Sequence, residues 1–377
     1  MKKDIGNVKH FSEEDLRFAT PLDVATFRAK RLKCKVIVDL CSGIGIQSGA
    51  FAKTCSEVFG FEIDERKVSF AKKNFENVKN LKFETGDVLD EKVIEKIRKI
   101  KPDIIFCDPE RLPQEKERNL ESISPDIFKL LEIYSKITPN ICLEIPPQID
   151  MDKLDRLGNM EREYLSVGNK LNRLDLYFGN LKKADISVSD VSGERISTSL
   201  LGKPNKNSKN ASDEVKKFNE DSRFAAKAVK ENCKDASDEV NKLNKNSKNA
   251  RTNKISRYIY EISTAIVKAG LENEFATKIE GNMLEGSEKN RVLISSDKLD
   301  NKFQNLCKAF EVIGTGNNYV QVMDILKKFK IGKVLIKYSV DPKDYWKERG
   351  RYEKQLRGNH EAVLFNACGK YIICEEI

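Results

Sequence analysis

Short apolar runs alternate with amphipathic stretches along the first 150 residues of the chain. The apolar runs predict strands at 36–40, 58–62, 81–84, 103–107 and 140–145, and the amphipathic stretches predict helices at 46–55, 65–76, 90–99 and 124–136. Strands that alternate with helices form right-handed crossovers, so we predict a parallel sheet covered by helices. Three further runs, EYLSVG, RLDLYFG and ADISVSD, have no full helix between them. We expect them to add an antiparallel edge to the sheet.

A helix is predicted ahead of the first strand. It starts at Thr20-Pro21, because proline suits the first turn of a helix, and Asp23 follows within that turn. The end of this helix is cationic and contains Arg28, Lys30, Arg31 and Lys33. Cations near a helix C-terminus interact favourably with the helix dipole while they stay in water. The pattern therefore predicts a solvated helix with its charges turned outward.

The stretch VIVDLCSGIGIQSGAF at 36–51 is a strand, a glycine turn and a helix start. Gly43 and Gly45 permit backbone torsions and a close approach of a ligand that a Cβ would block. The next predicted strand ends in Glu62, 19 residues after Gly43, at the position where a carboxylate binds ribose hydroxyls in nucleotide-binding folds. Polar residues follow four strands in succession, namely Asp39, Glu62, Asp87 and Asp108. They are expected along one rim of the sheet, where ligands bind.

The order VDLCSGIG, FEID, TGD and CDPER resembles the motifs of class I S-adenosylmethionine (SAM)-dependent methyltransferases. Within that superfamily, ATPLDVATFRAKRL, SISPDIFKLL and the C-terminal half resemble the branch that carries a C-terminal THUMP-like domain. The resemblance covers most of 15–200 and 257–377. It implies an α/β, Rossmann-like class I methyltransferase sheet, parallel with an antiparallel edge, and SAM as the cofactor. A dinucleotide-dependent oxidoreductase is the competing class, because it shares the glycine turn and the ribose carboxylate.

The resemblance also implies which residues bind the cofactor: Asp39, Ser42, Gly43, Gly45, Glu62, Asp87 and Val88. Glu62 is assigned to the ribose hydroxyls, and Asp87 with the backbone of Val88 is assigned to the adenine amine. Asp39 is expected to hold the glycine turn or the methionine amine. For the first helix, the resemblance offers a second interpretation, in which the helix lies over the cofactor or near substrate phosphates.

The motif Asp108-Pro109-Glu110-Arg111 stands where the resemblance places the loop that faces the methyl acceptor. In amine methyltransferases with an Asp-Pro-Pro-aromatic motif, the carboxylate and a backbone carbonyl accept hydrogen bonds from the target nitrogen. This alignment is most of the catalysis, because the sulfonium is already activated. Asp108, Pro109 and Arg111 are therefore the predicted catalytic residues, with Arg111 in place of the aromatic. In the simpler alternative, Asp108 only caps a turn.

Composition limits the chemistry further. Nine cysteines without a CxxC pair predict buried thiols in a reducing compartment, among them Cys107, Cys142 and Cys374. The only histidines are His10 and His360, so a histidine-rich metal site is excluded and no metal is expected. Neither Cys107 nor Cys142 matches the nucleophile motif of RNA methyltransferases that attack uridine C6. Without a long apolar run or an apolar signal core near Met1, we expect a soluble, cytoplasmic protein.

The net charge of +9 comes mostly from one segment. Residues 203–257 contain 15 Lys and Arg against 8 Asp and Glu, a net +7, and the repeat KNASDEVKKFN at 209–219 returns as KDASDEVNKLN at 234–244. A segment so poor in large apolar residues cannot bury enough surface to fold by itself. We therefore interpret 201–256 as a low-complexity basic insertion that is dispensable for folding. A basic arm that touches nucleic acid is the alternative.

After residue 256 the apolar patterning returns. Helices are predicted at 258–270 and 319–330, strands at RVLISS, KVLIKYSV, EAVLFNA and YIICEE, and a further helix after Asp341-Pro342. This is a small α+β domain. Near its end, cations and aromatics interleave, a pattern that suits phosphate contact and base stacking: Lys337, Lys343, Lys347, Arg349, Arg351, Lys354 and Arg357, with Tyr338, Tyr345, Trp346 and Tyr352. A solvated helix is the alternative, because acidic residues are interspersed.

The patterns divide the chain into three segments, and the resemblance implies what the outer two are: a methyltransferase domain with an N-terminal helix at 1–200, the basic insertion at 201–256 and a THUMP-like α+β domain at 257–377. The expected function is SAM-dependent methylation of a base in RNA, at an amine nitrogen in preference to a carbon. A non-catalytic RNA-binding protein that binds SAM and a small-molecule methyltransferase are the alternatives.

Overall fold

A computed structural model describes residues 4–111, 119–198, 251–288 and 291–377. In the N-terminal part the helices are α1 (Glu13–Phe18), α2 (Leu22–Arg31), α3 (Ile46–Phe51), α4 (Glu65–Asn74), α5 (Glu91–Ile100), α6 (Ile127–Tyr134) and α7 (Met151–Leu154). The strands of this part are β1 (Val36–Asp39), β2 (Glu57–Glu62), β3 (Leu81–Thr85), β4 (Ile104–Cys107), β5 (Glu110–Arg111), β6 (Ile123–Ser124), β7 (Ile141–Ile145), β8 (Glu161–Val167), β9 (Lys170–Tyr177), β10 (Ile186–Asp190) and β11 (Arg195–Ser197).

The C-terminal part contains the helices α8 (Thr264–Ala269), α9 (Glu272–Lys278), α10 (Tyr319–Lys328) and α11 (Tyr345–Glu353). Its strands are β12 (Arg251–Thr252), β13 (Tyr258–Ile262), β14 (Asn282–Leu284), β15 (Leu293–Ser296), β16 (Cys307–Gly316), β17 (Ile331–Ile336), β18 (His360–Ala367) and β19 (Lys370–Glu376).

The first sheet has the strand order β11-β10-β8-β9-β7-β4-β1-β2-β3. The five strands β3, β2, β1, β4 and β7 are parallel, as the alternation of strands and helices predicts. The antiparallel edge is present in β9, which runs against β7 and β8. The edge is not antiparallel throughout, because β10 pairs with β8 in the parallel sense. The result is a Rossmann-like α/β sheet with a mixed edge.

Aspartate side chains cap the N-termini of the helices α4, α5 and α6. Asp64 accepts hydrogen bonds from the backbone N–H groups of Arg66 and Lys67 at the start of α4, and Asp90 caps α5 in the same way. Asp126 does so for α6. Each cap satisfies N–H groups that a helix start leaves unpaired. Because these helices begin after strand ends, their N-termini border the same rim of the sheet.

A second sheet forms the C-terminal domain, with the order β12-β14-β15-β13-β16-β19-β18-β17. The helix expected at 258–270 is wrong in its first half, where Tyr258–Ile262 is strand β13 between β15 and β16. Ser263 ends this strand and caps α8 by accepting a hydrogen bond from the N–H of Ala265. Beta-branched and aromatic side chains favour the strand.

Two other boundaries differ from the sequence pattern. The helix expected after Asp341-Pro342 begins only at Tyr345, because Asp341 accepts a hydrogen bond from the N–H of Lys343 and closes a turn. Most of the predicted insertion, 201–250, lies outside the described residues. Its last residues do not continue the expected low-complexity segment, since Arg251–Thr252 pairs with β14 as strand β12.

The two sheets share one apolar core. Helices α8 and α9 place Ile266 and Phe275 in the same buried cluster as Tyr164 and Leu174 of the first sheet. A hydrogen bond of 3.1 Å from the N–H of Leu171 to the Thr264 hydroxyl joins the two parts beside this cluster. The C-terminal domain is therefore packed directly against the edge of the first sheet.

Candidate active site

A pocket of about 860 Å³ lies at the carboxyl ends of the parallel strands. A pocket of this size accepts a cofactor-sized ligand. Seven of the ten residues predicted for the site line it: Ser42, Gly43, Glu62, Asp87, Val88, Asp108 and Pro109. The rim expected from the order of the strands therefore exists, and it brings together residues that are far apart in the sequence.

The glycine turn forms one wall of the pocket. Gly43 has a φ of +53°, and a Cβ at this position would meet no atom within 4 Å, so open space faces the turn. Gly45 has a φ of +91° and starts α3, but a Cβ there would lie 2.7 Å from the ring of Phe83 and 2.9 Å from that of Phe75. Gly45 does not line the pocket, and it allows these rings to pack against the turn.

Glu62 is held at the rim by backbone groups. Its Oε2 accepts a hydrogen bond of 2.9 Å from the N–H of Gly43, and its Oε1 accepts one of 3.1 Å from the N–H of Asp64. The carboxylate is thereby fixed where β2 ends. Beside it, the Ser42 hydroxyl is buried and finds no hydrogen-bond partner within the described part of the chain. A fixed carboxylate and an unpaired hydroxyl suit a cofactor that carries ribose hydroxyls.

Asp39 lies behind the turn and does not line the pocket. Its side chain is fully buried, and Oδ2 accepts a 2.6 Å hydrogen bond from the hydroxyl of Ser48 in α3. Burial raises the pKa of Asp39 to about 7, although the hydrogen bond from Ser48 acts to lower it. Of the roles expected for Asp39, these contacts fit support of the glycine turn from below.

The turn after β3 is fixed by a buried tyrosine. The hydroxyl of Tyr134 donates a 2.7 Å hydrogen bond to the carbonyl of Val88, and Asp87 Oδ1 accepts one of 2.8 Å from the N–H of Leu89. Burial raises the pKa of Tyr134, so its hydroxyl stays a donor. These two hydrogen bonds hold the Asp87-Val88 turn in place beside the pocket.

The opposite wall of the pocket carries Asp108 and Pro109, directly after β4. Asp108 is half-buried, and its pKa lies well above the usual carboxyl range, first because of burial and then because of the nearby Glu144 carboxylate. Arg28 and Arg173 oppose this shift. Arg111 continues into strand β5, where its backbone pairs with Ile123, but its side chain lies outside the described residues.

Arg28 contradicts the prediction of a solvated helix. Its side chain is fully buried, with Nη2 2.5 Å from Glu144 Oε2 and 2.9 Å from Asp175 Oδ1, and Nη1 donates to Gln47. The Arg31 side chain is only 8% exposed, and it pairs with Glu161 and stacks on Tyr177. The carboxylates that these arginines meet lie on strands of the sheet, which the sequence of α2 does not show.

Glu144 and Arg173 belong to the site and were missed from the sequence. Both line the pocket, and Arg173 Nε lies 2.5 Å from Glu144 Oε1. One signal was available for Glu144, because it interrupts the apolar run ICLEIPP of a buried strand, and a buried charge needs a partner. For Arg173, which lies in β9 between β7 and β8 and has an ordinary polar alternation around it, no such signal exists.

The described residues contain no group of three or more His, Cys, Asp or Glu side chains that could hold a metal ion. Within the same ranges, no helix is long and apolar enough to cross a membrane. The prediction of buried thiols is confirmed for Cys107, Cys142 and Cys374, which are fully buried.

Comparison with known proteins identifies the family. A sequence model of the RNA cap guanine-N2 methyltransferase family matches residues 34–224, about half of the chain. The chain belongs to this family. In this RNA cap guanine-N2 methyltransferase family member, the match starts just before β1 and includes the glycine turn, Glu62, Asp87 and Asp108.

Relatives agree with this membership. Two curated proteins of Mycobacterium tuberculosis, from strains CDC 1551 and H37Rv, are both described as uncharacterized SAM-dependent methyltransferases. Each is 27% identical to this chain over 192 residues, which cover 49% of this chain and 51% of the relative. The chain thus spans about half the length of the curated relatives it matches.

A crystal structure of a provisionally assigned methyltransferase from Porphyromonas gingivalis W83 has the same fold. The two structures superpose with a TM-score of 0.69 at 16% sequence identity. The superposition covers 96% of this chain and 82% of the Porphyromonas protein. The predicted class I methyltransferase fold, with a second sheet domain at the C-terminus, is confirmed. SAM, the predicted cofactor, is the cofactor of this family member. Ser42, Gly43, Glu62, Asp87 and Val88 are the pocket residues that would hold it.

Proposed function

We propose that this protein transfers the methyl group of SAM to an exocyclic amine of a base in RNA. The observation that carries the proposal is that Asp108 and Pro109 share one pocket with the cofactor turn at Gly43. The family's description names guanine N2, so the guanine amine is the first acceptor to test. A dinucleotide-dependent oxidoreductase is disfavoured by the family match and by the antiparallel strand β9.

The proposed mechanism is alignment followed by proton removal. SAM, when bound, supplies an activated methyl group. The Asp108 carboxylate and the Pro109 carbonyl accept hydrogen bonds from the two N–H groups of the amine. This arrangement turns the nitrogen lone pair toward the methyl group. Formation of the N–C bond would be balanced by cleavage of the sulfonium S–C bond, and the nitrogen must then release a proton. Asp108 suits this step, because burial and Glu144 raise its pKa. Arg111 is proposed as a further catalytic residue on the acceptor loop.

Glu144, Arg28 and Arg173 would keep the acceptor wall in place. The Glu144 carboxylate lies between the two guanidinium groups, at 2.5 Å from each. A buried carboxylate that pairs with a cation on each side is restricted in its rotation. Glu144 is thereby held near Asp108, and after burial it is the next cause of the raised pKa of Asp108, which favours a proton on Asp108 after the transfer.

The C-terminal domain is proposed to be a THUMP-like domain that binds the RNA. It touches the first sheet at Leu171 and Thr264, one residue from Asn172, which lines the acceptor side of the pocket. On α11, Trp346 is 72% exposed, and the Arg349 guanidinium lies 5.5 Å from its ring centroid. An exposed indole beside a cation suits a stacked base.

Part of the cationic and aromatic tail has a structural role instead. Tyr352 is buried and hydrogen-bonded to Tyr338, and Lys337 pairs with Glu261. RNA contact is therefore proposed for Trp346 and its neighbours on the outer face of α11, and not for the whole tail. The segments proposed remain a methyltransferase domain at 1–200, a basic insertion at 201–256 and the RNA-binding domain at 257–377.

Labelled SAM tests the proposed function. The protein is incubated with labelled SAM and total RNA from a host that lacks the gene, and the methylated nucleosides are then separated. We expect label in RNA, as N2-methylguanosine, with wild-type protein and with the exposed-site control Asp152→Ala, and none with Asp108→Ala. Label found only in small molecules would indicate a small-molecule methyltransferase. SAM and RNA binding without any label would indicate a non-catalytic protein.

A further inference from the structure

A segment of the N-terminal region crosses the mouth of the pocket between two charged anchors. At one end, Asp15 accepts hydrogen bonds of 2.8 and 3.1 Å from Arg66 of α4, which follows β2. At the other end, Arg28 is bound to Glu144 of β7 and Asp175 of β9. Since β1 and β4 lie between those strands, the segment passes over their ends. Five of its residues, 17–21, line the pocket.

The first anchor fixes α1 firmly. The Asp15 carboxylate is almost fully buried, and it also accepts a hydrogen bond from the N–H of Ser12, whose hydroxyl caps the helix. These bonds lower the pKa of Asp15, although burial acts in the opposite direction, so the ion pair with Arg66 persists through the neutral range. The last residue of α1, Phe18, consequently has a defined position at the pocket.

Phe18 is exposed at this position although its ring is apolar. It is 58% exposed, and Ile63, on the rim formed by the end of β2, is 67% exposed. Both line the pocket. Apolar side chains that stay in water at the mouth of a pocket mark a ligand contact more often than isolated surface residues do. The Arg17 guanidinium lies 5.6 Å from the Phe18 ring centroid.

The charge of the pocket restricts what can contact Phe18. Among the described residues that line it, nine are acidic and four are basic. Three of the four cations already pair with lining carboxylates, as Arg66 does with Asp15, Lys67 with Glu110 and Arg173 with Glu144. A phosphate group inside this pocket would be repelled. An uncharged base would be accepted, because its N–H groups can donate to the carboxylates.

We propose that Phe18 is the stacking platform for the acceptor base, a purine that enters the pocket unpaired while its phosphates stay outside. This inference rests on the proposed function and adds the site that selects the base. Phe18 and Asp108 line the same pocket, and the segment that carries Phe18 passes over the ends of β1 and β4. Stacking on Phe18 and hydrogen bonding to Asp108 would together fix the plane and the edge of the base.

Substitution of Phe18 tests the platform. Phe18→Ala should raise the KM for RNA by about 10-fold or more, the loss expected for one stacked base, and leave the dissociation constant of SAM within about 2-fold. Phe18→Tyr should keep wild-type values, as should the control Phe329→Ala, an exposed phenylalanine that does not line the pocket. The proposal is overturned if Phe18→Ala weakens SAM binding as much as RNA binding, or changes neither.

A fluorescence titration separates the platform from methyl transfer. Trp346 is the only tryptophan, so the double variant Phe18→Trp, Trp346→Phe places a single indole at position 18. Because Trp346 is itself a proposed RNA contact, the RNA affinity of the single variant Trp346→Phe is measured first, and the RNA concentrations of the titration are set above its dissociation constant. A short guanosine-rich single strand of RNA should quench it, and the same sequence as a duplex should not. Quenching without methylation would support the stacking role of Phe18 and contradict the proposed methyl transfer. Methylation of RNA without quenching would contradict the stacking role of Phe18 and support the proposed methyl transfer.

Discussion

The backbone N–H of Gly43 donates a 2.9 Å hydrogen bond to Oε2 of Glu62. This bond joins the glycine turn after β1 to the carboxylate that ends β2, although 19 residues separate them in the sequence. The two features that a nucleotide-type cofactor needs are therefore one structural unit. A change in either residue should disturb both the turn and the position of the carboxylate.

Glu62→Gln should weaken SAM binding by about 10- to 100-fold, because an amide accepts hydrogen bonds from ribose hydroxyls and from Gly43 less strongly than a carboxylate does. Glu65→Gln, an exposed change in the first turn of α4, is the matched control and should leave binding unchanged. Isothermal calorimetry with SAM and with NAD measures both variants. Saturable binding of NAD by the wild type, with no response to SAM, would be incompatible with the cofactor assigned here.

The buried Asp39 should make stability depend on pH. Its folded-state pKa of about 7 exceeds the ordinary carboxyl value of about 3.9, so the folded state holds this proton more tightly. The associated stability is present at about pH 4 and is lost as the pH rises through 7, by up to about 4 kcal/mol. Asp39→Asn keeps an acceptor for Ser48 and removes the titration.

Urea unfolding at several values between pH 4.5 and 8 checks this expectation. The free energy of unfolding of the wild type should fall relative to that of Asp39→Asn as the pH rises. Two parallel curves would show that Asp39 has an ordinary pKa in the folded protein.

Arg28→Met should lower the free energy of unfolding by about 3 to 5 kcal/mol, because it leaves the buried carboxylates of Asp175 and Glu144 without their shared cation. Lys30→Met on the exposed face of the same helix is the control and should change stability by less than about 0.5 kcal/mol. Denaturant titration followed by circular dichroism measures both. Equal midpoints for the two variants would contradict the buried network.

The sequence predicted the α/β sheet closely because its strands are short, apolar and separated by amphipathic helices. Strand β4 is fully buried, and the run IIFC shows it. Asp39, Glu62, Asp87 and Asp108 were found because each follows such a strand. The residues that lie next to them in the folded protein come from distant parts of the sequence, and no local sequence pattern indicates them. Arg28 looks like a solvated helix-terminal cation, and only tertiary pairing with β7 and β9 shows that it belongs to the buried network behind Glu144.

The C-terminal domain was harder to predict for a related reason. Tyr258–Ile262 has no strict alternation, and its strand character comes from pairing with β15 and β16. Helix α9 at Glu272–Lys278 and the long strand β16 at Cys307–Gly316 were not predicted at all. Many positions in β16 are only partly buried, so its apolar pattern is weak.

The apolar core shared by the two sheets should make them unfold together. Ile266→Asp would place a charge among Tyr164, Leu174 and Phe275 in that core and should destabilise both parts at once. Val320→Asp, at an exposed position of α10, is the control. Differential scanning calorimetry of the wild type should show one transition. Two separate transitions, with only the later part of the chain affected by Ile266→Asp, would mean that the domains are independent.

Single-turnover methyl transfer tests most directly whether Asp108 aligns the acceptor amine and takes its proton. Asp108→Asn keeps the size of the side chain but cannot take a proton, so with saturating SAM and RNA its rate should fall by about 100-fold or more. The dissociation constants of SAM and RNA should change by less than about 3-fold, because neither depends on the proton. A rate within a few fold of the wild type, or a loss explained entirely by weaker SAM binding, would contradict the account.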